Sequence, residues 1–337
     1  MNYKHFIGID VSKTWLDVTV TLGSQVLFYK QIENSSLSIK EFFRLLKREK
    51  SFEMKTTLFC MEHTGIYNNH LLDYFFKAKA KLCLESGLQI KQSSGVARGK
   101  NDKIDSFRIA MYAYKNQADI KLWEPKREII CSLKHLTTLR NRIINVIKQM
   151  KTPVKESISF LKRNDQKRMV SLCKGTLTAL QNDLKRINKE ISNVISSDAE
   201  LNRLFNLISS VTGVGPVVAT EILITTNEFK NINCHKKYAC YSGIAPFEHQ
   251  SGSSIRGKTR VSSMGNKNIK KLLHLAALSA SKCPGDLQQY FERKVNEGKN
   301  KMLILNAVRN KIIARVFACV KQNKLYEKNY KNLLFYP

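Results

Sequence analysis

The sequence predicts a mixed α/β region followed by mainly helical regions, in a chain long enough for about two domains. Three observations support this. Short segments of alternating hydrophobicity fill the first third of the 337 residues. Apolar residues then recur every three or four positions, and further on two closely spaced glycines separate apolar helical segments. The expected divisions are residues 1–122, 123–204, 205–325 and a tail over 326–337.

The chain carries a large positive charge, with 57 Lys and Arg against 27 Asp and Glu and a formal net charge of +30. Such an excess repels itself in a compact state unless a polyanion neutralises it, and nucleic acid is the commonest such partner. A membrane surface is the lesser alternative. No apolar run approaches the ~18 to 20 residues of a membrane span, and the first residues do not read as a secretion signal. We therefore expect a soluble, cytoplasmic protein that binds nucleic acid.

The first region predicts a central sheet covered by helices. Three strands are expected over residues 6–10, 16–22 and 25–32, and Gly23 with Ser24 supplies the turn between the last two. Further along, the pattern predicts in order a helix, a strand, a helix, a strand and a helix, over residues 39–48, 57–61, 66–80, 81–85 and 101–114.

The second region contains two heptad seams. One runs from Ile129 to Val154 with Arg140 as its single polar exception, and the other runs from Cys173 to Val194. The basic segment 162–168 is expected to turn the chain between them. The two helices then form an antiparallel coiled-coil arm, or each pairs with a second subunit, or both are ordinary amphipathic helices packed on a core.

The third region is expected to be mainly α-helical and opens with Gly213 and Gly215 between two apolar helical segments. Glycines at this spacing permit the tight turn of a helix-hairpin-helix-like motif, whose amides can bind a phosphate. A simple helix-helix turn is the alternative.

A basic stretch follows in the same region. The sequence has no acid between Glu248 and Asp286, while basic residues accumulate there, which predicts a surface for a polyanion. These basic residues are Arg256, Lys258, Arg260, Lys267, Lys270, Lys271 and Lys282.

Four acidic residues stand out in so basic a chain. Asp10 and Glu62 lie at the ends of predicted strands, and Asp102 and Asp105 share one face at the start of a predicted helix. If these carboxylates meet, they need cations among them, and the oxygen-preferring Mg²⁺ fits. Taken singly, Asp10 also fits a strand-end turn and Asp102 a favourable charge at a helix start. Arg98, Lys100 and Lys103 are expected to contact the nucleic-acid backbone.

At these residues the chain resembles the transposases of the insertion sequence 110 family, in both the RuvC-like (RNase H-like) DEDD domain and the C-terminal transposase domain. The segments that resemble the first domain are Phe6-Ile7-Gly8-Ile9-Asp10-Val11-Ser12-Lys13, Glu62-His63-Thr64-Gly65-Ile66-Tyr67 and Ala97-Arg98-Gly99-Lys100-Asn101-Asp102-Lys103-Ile104-Asp105. Those that resemble the second are Val211-Thr212-Gly213-Val214-Gly215-Pro216, Tyr241-Ser242-Gly243-Ile244-Ala245-Pro246, Gln250-Ser251-Gly252-Ser253-Ser254-Ile255-Arg256-Gly257-Lys258 and Gly265-Asn266. The stretch around Ser251 looks closer to the insertion sequence 1111 subgroup.

The resemblance implies a DNA recombinase that cuts and rejoins strands, with Mg²⁺ held by Asp10, Glu62, Asp102 and Asp105. It further implies a serine nucleophile that forms a covalent phosphoserine link to DNA. By motif position this serine is Ser251, with Ser253 and Ser254 as neighbouring candidates. Gln250-Ser251-Gly252 is expected to lie in a loop whose glycines let the backbone approach a phosphate. The expected partners are donor and target DNA, a non-coding guide RNA made from the element, and further copies of the chain. In such an oligomer the helical arm joins subunits, and one copy's carboxylates act with another's serine.

Two alternatives use fewer of these features. A RuvC-like structure-specific nuclease, such as a junction resolvase, would need the carboxylates but no serine and would form no protein–DNA adduct. The additional C-terminal region of more than a hundred residues argues against it. A non-enzymatic nucleic-acid binder would show steep salt dependence but no metal-dependent change in DNA.

Overall fold

The computed structural model describes residues 3–49, 52–93, 95, 101–251 and 255–327. The chain divides into two compact units, Met1–Pro125 and Lys126–Pro337. Each unit has its own hydrophobic core. Within the described residues, the helices are too short or too polar to cross a membrane.

The first unit is a five-stranded sheet with helices on both faces. Its elements are β1 (His5–Val11), β2 (Trp15–Leu22), β3 (Gln25–Glu33), α1 (Ser36–Leu46), β4 (Thr57–Glu62), α2 (Asn69–Lys77), β5 (Lys81–Glu85), α3 (Gly87–Ser93) and α4 (Asp102–Lys115). The strand order is β3-β2-β1-β4-β5. β2 runs antiparallel to both of its neighbours, β1 and β3, whereas β4 and β5 run parallel to β1. The unit therefore confirms the predicted central sheet covered by helices.

The two faces of this sheet bury different side chains. Strand residues alternate between faces, so Val18 and Val20 of β2 join the apolar core that includes residues of α1 and α2. On the opposite face, α4 lies directly against the sheet: a Cβ atom at Gly8 would lie 2.1 Å from the carbonyl oxygen of Ser106. The Ser106 hydroxyl is 2.7 Å from the Thr19 hydroxyl of β2. The absence of a side chain at Gly8 therefore fixes how closely α4 packs on β1.

The second unit is mostly helical, as expected. Its elements are α5 (Glu128–Phe160), α6 (Arg163–Ser196), α7 (Ala199–Ser209), α8 (Pro216–Thr226), α9 (His235–Tyr241), β6 (Pro246–Ser251), β7 (Ile255–Val261), α10 (Lys267–Ala280), α11 (Asp286–Asn296) and α12 (Lys301–Gln322). The antiparallel hairpin of β6 and β7 is an addition to the expected architecture. The sequence predicted a glycine-containing loop around Gln250 and Ser251, and both residues instead end a strand.

The two longest helices lie antiparallel to each other. Arg140 of α5 donates to Asn188 of α6 at 2.8 Å, and Gln166 near the start of α6 donates to the carbonyl of Ser157 near the end of α5. The connection is shorter than predicted, because α6 already begins at Arg163 and so contains most of the basic segment expected to form the turn. Pairing of these helices as a coiled coil, within one chain or with a second subunit, stays a prediction.

Gly213 and Gly215 form the turn between α7 and α8. Gly213 has a φ of +87°, and a Cβ there would lie 2.4 Å from the carbonyl oxygen of Ala276 in α10. Gly215 is the N-cap of α8, which begins with Pro216. The turn thus needs glycine at position 213 both for its backbone angle and for its packing on α10. Phosphate binding by this turn stays a prediction.

Candidate functional site

Acidic residues on adjacent strands form a row across the first unit's sheet. Asp10 of β1 is paired in register with Asp17 of β2, and Glu62 of β4 is paired with Glu85 of β5. Ile9 is paired with Met61, so the next residues along these parallel strands, Asp10 and Glu62, are also neighbours. Strand alternation places this row on the face covered by α4.

The first turn of α4 adds two more carboxylates. Asn101 caps the helix by accepting the backbone N–H of Lys103 at 2.9 Å, and Asp102 and Asp105 follow in the first turn. Acidic side chains are favourable there because the helix N-terminus carries partial positive charge. We call Asp10, Asp17, Glu62, Glu85, Asp102 and Asp105 the acidic edge.

The carboxylates of the acidic edge affect one another electrostatically. The pKa of Asp10 is raised to about 6, first by burial and then by the negative charges of Asp105, Asp102, Glu62 and Asp17. A group surrounded by like charges holds its proton more tightly because ionisation would add to the repulsion. The four predicted carboxylates therefore share one region of concentrated negative charge.

These side chains do not form a ready-made metal cage. Among the described residues, no three Asp, Glu, His or Cys side chains are arranged so that they could hold an ion as they stand. Glu62 lies so close to Gly87 that a Cβ there would be 2.1 Å from its Oε1 atom, and Asp105 is paired with Arg108 at 2.8 Å. The donor chemistry nevertheless fits a hard divalent cation, since carboxylate oxygens are the ligands such ions prefer.

Asp17 is an acidic-edge residue outside the four predicted carboxylates, since it lies inside β2 and not at its end. It is only 3% exposed and accepts hydrogen bonds from the Tyr29 hydroxyl and, at 3.1 Å, from the Gln31 amide. The hydrogen bond to Asp17 is the largest cause of the raised pKa of Tyr29, about 12. The signal in the sequence was the short connection between the first two strands: pairing them about residues 12–14 brings position 17 opposite position 10.

Glu85 and Gly87 were also missed. Glu85 ends β5 as Glu62 ends β4, and it accepts hydrogen bonds from the Tyr112 hydroxyl at 3.1 Å and the Ser86 amide at 2.8 Å. Its position at the end of a predicted strand was the available signal. Gly87 carried no signal, because its closeness to Glu62 arises only when β4 and α3 are assembled.

Basic residues near the acidic edge are described only in part. The ammonium of Lys103 lies 5.3 Å from the ring centroid of Tyr29, and its side chain is exposed. Arg98 and Lys100 lie outside the described residues.

The second predicted site falls on the hairpin of β6 and β7. Ser251 is the last residue of β6 and pairs with Ile255. The register shifts between Phe247 and His249, and such irregularities redirect side chains beside functional sites. Ser253 and Ser254 lie outside the described residues, as do the side chains of Ser251 and Arg256. Lys258, Arg260, Lys267 and Lys271 are exposed, and Lys270 is partly buried.

Two family models match the chain. One, described as "Transposase IS116/IS110/IS902 family", matches residues 205–292, and a DEDD transposase model of the IS110 type matches residues 7–161.

Relatives resemble the chain at low identity. The "Pilin gene-inverting protein" of Moraxella bovis is 24% identical over 330 residues, covering 96% of this chain and 98% of its own length. The "Insertion element IS110 uncharacterized 43.6 kDa protein" of Streptomyces coelicolor is 25% identical over 153 residues, covering 45% of this chain and 36% of its own length. Among solved structures, RuvC of T. thermophilus in complex with a Holliday junction substrate matches 36% of this chain and all of its own. That match has a TM-score of 0.29 and 15% identity.

Proposed function

We propose that this chain, which belongs to the insertion sequence 110 family of transposases, cuts and rejoins DNA by forming a covalent link between Ser251 and a DNA phosphate. The acidic edge is the observation that carries the proposal. A transposase acts on phosphodiesters, and carboxylates brought together by the register of β2, β1, β4 and β5 are suited to that chemistry.

The proposed reaction conserves the energy of the broken bond. The Ser251 hydroxyl attacks phosphorus, a new P–O bond forms, and the bond from phosphorus to one sugar oxygen breaks. The serine proton is lost to a base and the departing sugar oxygen is protonated. The reverse attack by a sugar hydroxyl from another DNA end releases the serine and rejoins the strand. A serine hydroxyl is a weak nucleophile unless a base or metal activates it, so the acidic edge is needed as well.

We assign the metal-binding role to Asp10, Glu62, Asp102 and Asp105, with Mg²⁺ as the cation that fits them. When bound, it would supply Lewis-acid stabilisation of negative charge at the phosphate. Holding it requires Asp105 to turn from Arg108, its present partner, while Glu62 keeps its position against Gly87. Lys258 and Arg260 are exposed on β7 and are proposed to bind the DNA backbone near Ser251.

Guidance by a non-coding RNA is also part of the proposal. The sequence contains no recognition-helix signature, zinc finger or basic zipper for reading base edges. Base pairing between a guide RNA and DNA would supply specificity, while the protein reads backbone and shape. A cytoplasmic location, where bacterial DNA is accessible, belongs to the same proposal, as does an oligomer in which the acidic edge of one copy acts with Ser251 of another.

The relatives named for inverting a pilin gene support rejoining over hydrolysis, because inversion of a gene requires both cutting and resealing of strands. A hydrolytic nuclease of the junction-resolvase kind remains the second candidate, favoured by the acidic edge taken alone.

The test is to trap the covalent intermediate. Protein purified from its own locus context, with the RNA that accompanies it, is incubated with labelled DNA carrying the element ends and Mg²⁺, then denatured. We expect a protein–DNA adduct whose modified peptide contains Ser251. Ser251→Ala should abolish the adduct and keep DNA binding, whereas the matched variants Ser253→Ala and Ser254→Ala should keep both.

Each of the other possible results contradicts a specific part of the proposal. An adduct that persists in Ser251→Ala assigns the nucleophile to another residue, and cutting without any adduct favours the hydrolytic candidate. Sequencing of the co-purified RNA tests guidance separately: a discrete transcript from DNA flanking the gene is expected, and bulk cellular RNA contradicts it.

A further inference from the structure

An open cavity of about 420 Å³ lies at the base of the hairpin formed by β6 and β7. Its walls include the side chains of Tyr241, Phe247 and Met264 and the backbone of Gly265. We propose that this cavity binds one unpaired nucleobase of the DNA strand whose phosphate is attacked by Ser251. The inference rests on the proposed function and adds a binding site to it.

The cavity presents flat apolar surfaces to solvent. Phe247 is 49% exposed, Tyr241 is 37% exposed and Met264 is 66% exposed. The neighbouring Tyr238, by contrast, is fully buried and serves the core. Exposed aromatic rings beside basic residues are the usual means by which proteins bind single-stranded nucleic acid, because each base can stack on a ring.

The Tyr241 ring is held in place before any ligand binds. One neighbour is the Tyr238 ring, stacked at a centroid distance of 5.8 Å and an interplanar angle of 27°. The Tyr241 hydroxyl accepts a hydrogen bond from the Asn266 amide at 2.9 Å, and Asn266 in turn caps α10. A ring fixed in this way loses little conformational entropy when a base stacks on it.

Gly265, which lines the cavity, lies against the backbone of Gly243. Gly243 has a φ of +65°, and a Cβ atom at Gly265 would lie 2.2 Å from the Cα atom of Gly243. This backbone contact joins the turn after α9 to the loop before α10. Tyr241 is the last residue of α9, and Asn266 is the last residue of that loop. This contact therefore holds the backbone beside the cavity, and the side chains of Tyr241, Phe247 and Met264 complete the walls.

The surrounding charge selects an anionic ligand. The sequence from residue 249 to residue 285 contains no Asp or Glu, and Lys258, Arg260 and Lys267 are exposed within it. A ligand that combines a flat apolar ring with a phosphate satisfies both the aromatic walls and this charge, and a nucleotide is such a ligand. An apolar protein segment would match the walls but leave the basic residues unneutralised.

The cavity lies within reach of a strand bound at Ser251. Phe247 precedes Ser251 by four residues on β6, a distance of about 13 Å along an extended strand. Stacked DNA advances about 3.4 Å per nucleotide, so roughly four nucleotides, or fewer in an unstacked strand, span this distance. A base of the cleaved strand itself can therefore reach the cavity.

The test uses a seven-nucleotide thymidine strand with one central 2-aminopurine, a fluorescent base whose emission falls when it stacks. We expect quenching with the wild-type protein. Phe247→Ala should abolish the quenching and weaken binding of the strand about tenfold. Phe247→Trp should retain both properties. Val261→Ala, an exposed apolar residue at the base of the same hairpin, is the matched control and should behave as wild type.

Two further measurements, on a duplex and on an RNA strand, distinguish the alternative explanations. The same sequence fully paired in a duplex should bind equally well to wild type and Phe247→Ala, because its bases are not free. An equal loss on duplex would show that Phe247 only maintains the hairpin and would overturn the proposal, as would unchanged quenching in Phe247→Ala. An RNA strand of the same sequence identifies the source: quenching by RNA alone contradicts the assignment to DNA.

The experiments distinguish failure of the nucleobase site from failure of the proposed serine mechanism. Ser251→Ala should quench the probe as wild type does, since stacking needs no covalent step. Quenching without any protein–DNA adduct would therefore refute only the serine mechanism, and an adduct without quenching would refute only the nucleobase site.

Discussion

The acidic edge and the hairpin of β6 and β7 are built by opposite means. The acidic edge is fixed by strand register beneath a closely packed helix, and burial together with the repulsion among its charges raises the pKa of Asp10 to about 6. The hairpin contains exposed basic side chains, and its base is held by the contact of Gly243 with Gly265. One region has excess negative charge and the other excess positive charge, so each is electrostatically incomplete without a cation or a phosphate. Changes to the two should therefore have different consequences.

The largest expected effect follows removal of one charge from the acidic edge. Asp10→Asn should slow DNA cleavage by about 10³-fold or more, because several kcal/mol of stabilisation at the phosphate depend on the carboxylates. DNA affinity should stay the same or rise, since a negative charge is lost. Rates from single-turnover cleavage and affinities from filter binding measure the two separately. If Asp10→Asn lost DNA affinity as well as cleavage, the assignment of catalysis rather than DNA binding to Asp10 would be contradicted.

A smaller effect is expected from Gly87→Ala. The new methyl group occupies the position taken by the Glu62 carboxylate, 2.1 Å from its Oε1 atom, so Glu62 must move. Displacement of a reacting group by about 1 Å costs up to about 10²-fold in rate. The variant should fold, because alanine favours the helix α3 that begins at this position.

The matched control is Gly175→Ala in α6, where a Cβ meets no atom within 4 Å. It should leave cleavage unchanged and stabilise the helix by about 0.5–1 kcal/mol. Wild-type cleavage by Gly87→Ala would show that the position of Glu62 against Gly87 has no bearing on the reaction.

The smallest effect concerns stability. An acid whose folded-state pKa is raised contributes its full stability below its unfolded value, 3.8 for Asp10, and loses it as the pH rises through about 6. The Asp10→Asn variant has no carboxyl group to ionise at this position, so it does not lose this stability. Without metal, its free energy of unfolding at pH 7.5 should therefore exceed that of wild type by about 1 kcal/mol, allowing for partial solvent screening. Calorimetry in a chelator should show a melting temperature a few degrees higher at pH 7.5 and little difference at pH 4. A variant less stable than wild type at pH 7.5 contradicts the electrostatic account.

The acidic edge was predictable from sequence where an acid lies at the end of a predicted strand. Asp10 and Glu62 are such residues, and the helix-start pair at 102 and 105 was visible from its spacing. Asp17 was not recognised, because its opposition to Asp10 depends on the hairpin register. Gly87 could not be recognised at all, since only the assembled sheet brings it against Glu62.

The hairpin was less predictable for a physical reason. Its strands contain Gly, Ser, Arg and Lys rather than alternating apolar residues, so the usual strand pattern is absent. The aromatic residues nearby show the same limit. Tyr238 and Tyr241 lie three positions apart on α9, yet one is fully buried and the other is 37% exposed. Helical spacing alone does not determine which of them faces a neighbouring element.

The central claim, that the acidic edge of one copy and Ser251 of another act on the same phosphodiester, is tested most directly by mixing two inactive variants. Asp10→Asn supplies an intact serine and Ser251→Ala supplies an intact acidic edge. Co-expressed and purified together through different tags, the pair should regain formation of the protein–DNA adduct, carried by the Asp10→Asn chain. A co-purified pair that forms no adduct would contradict the claim.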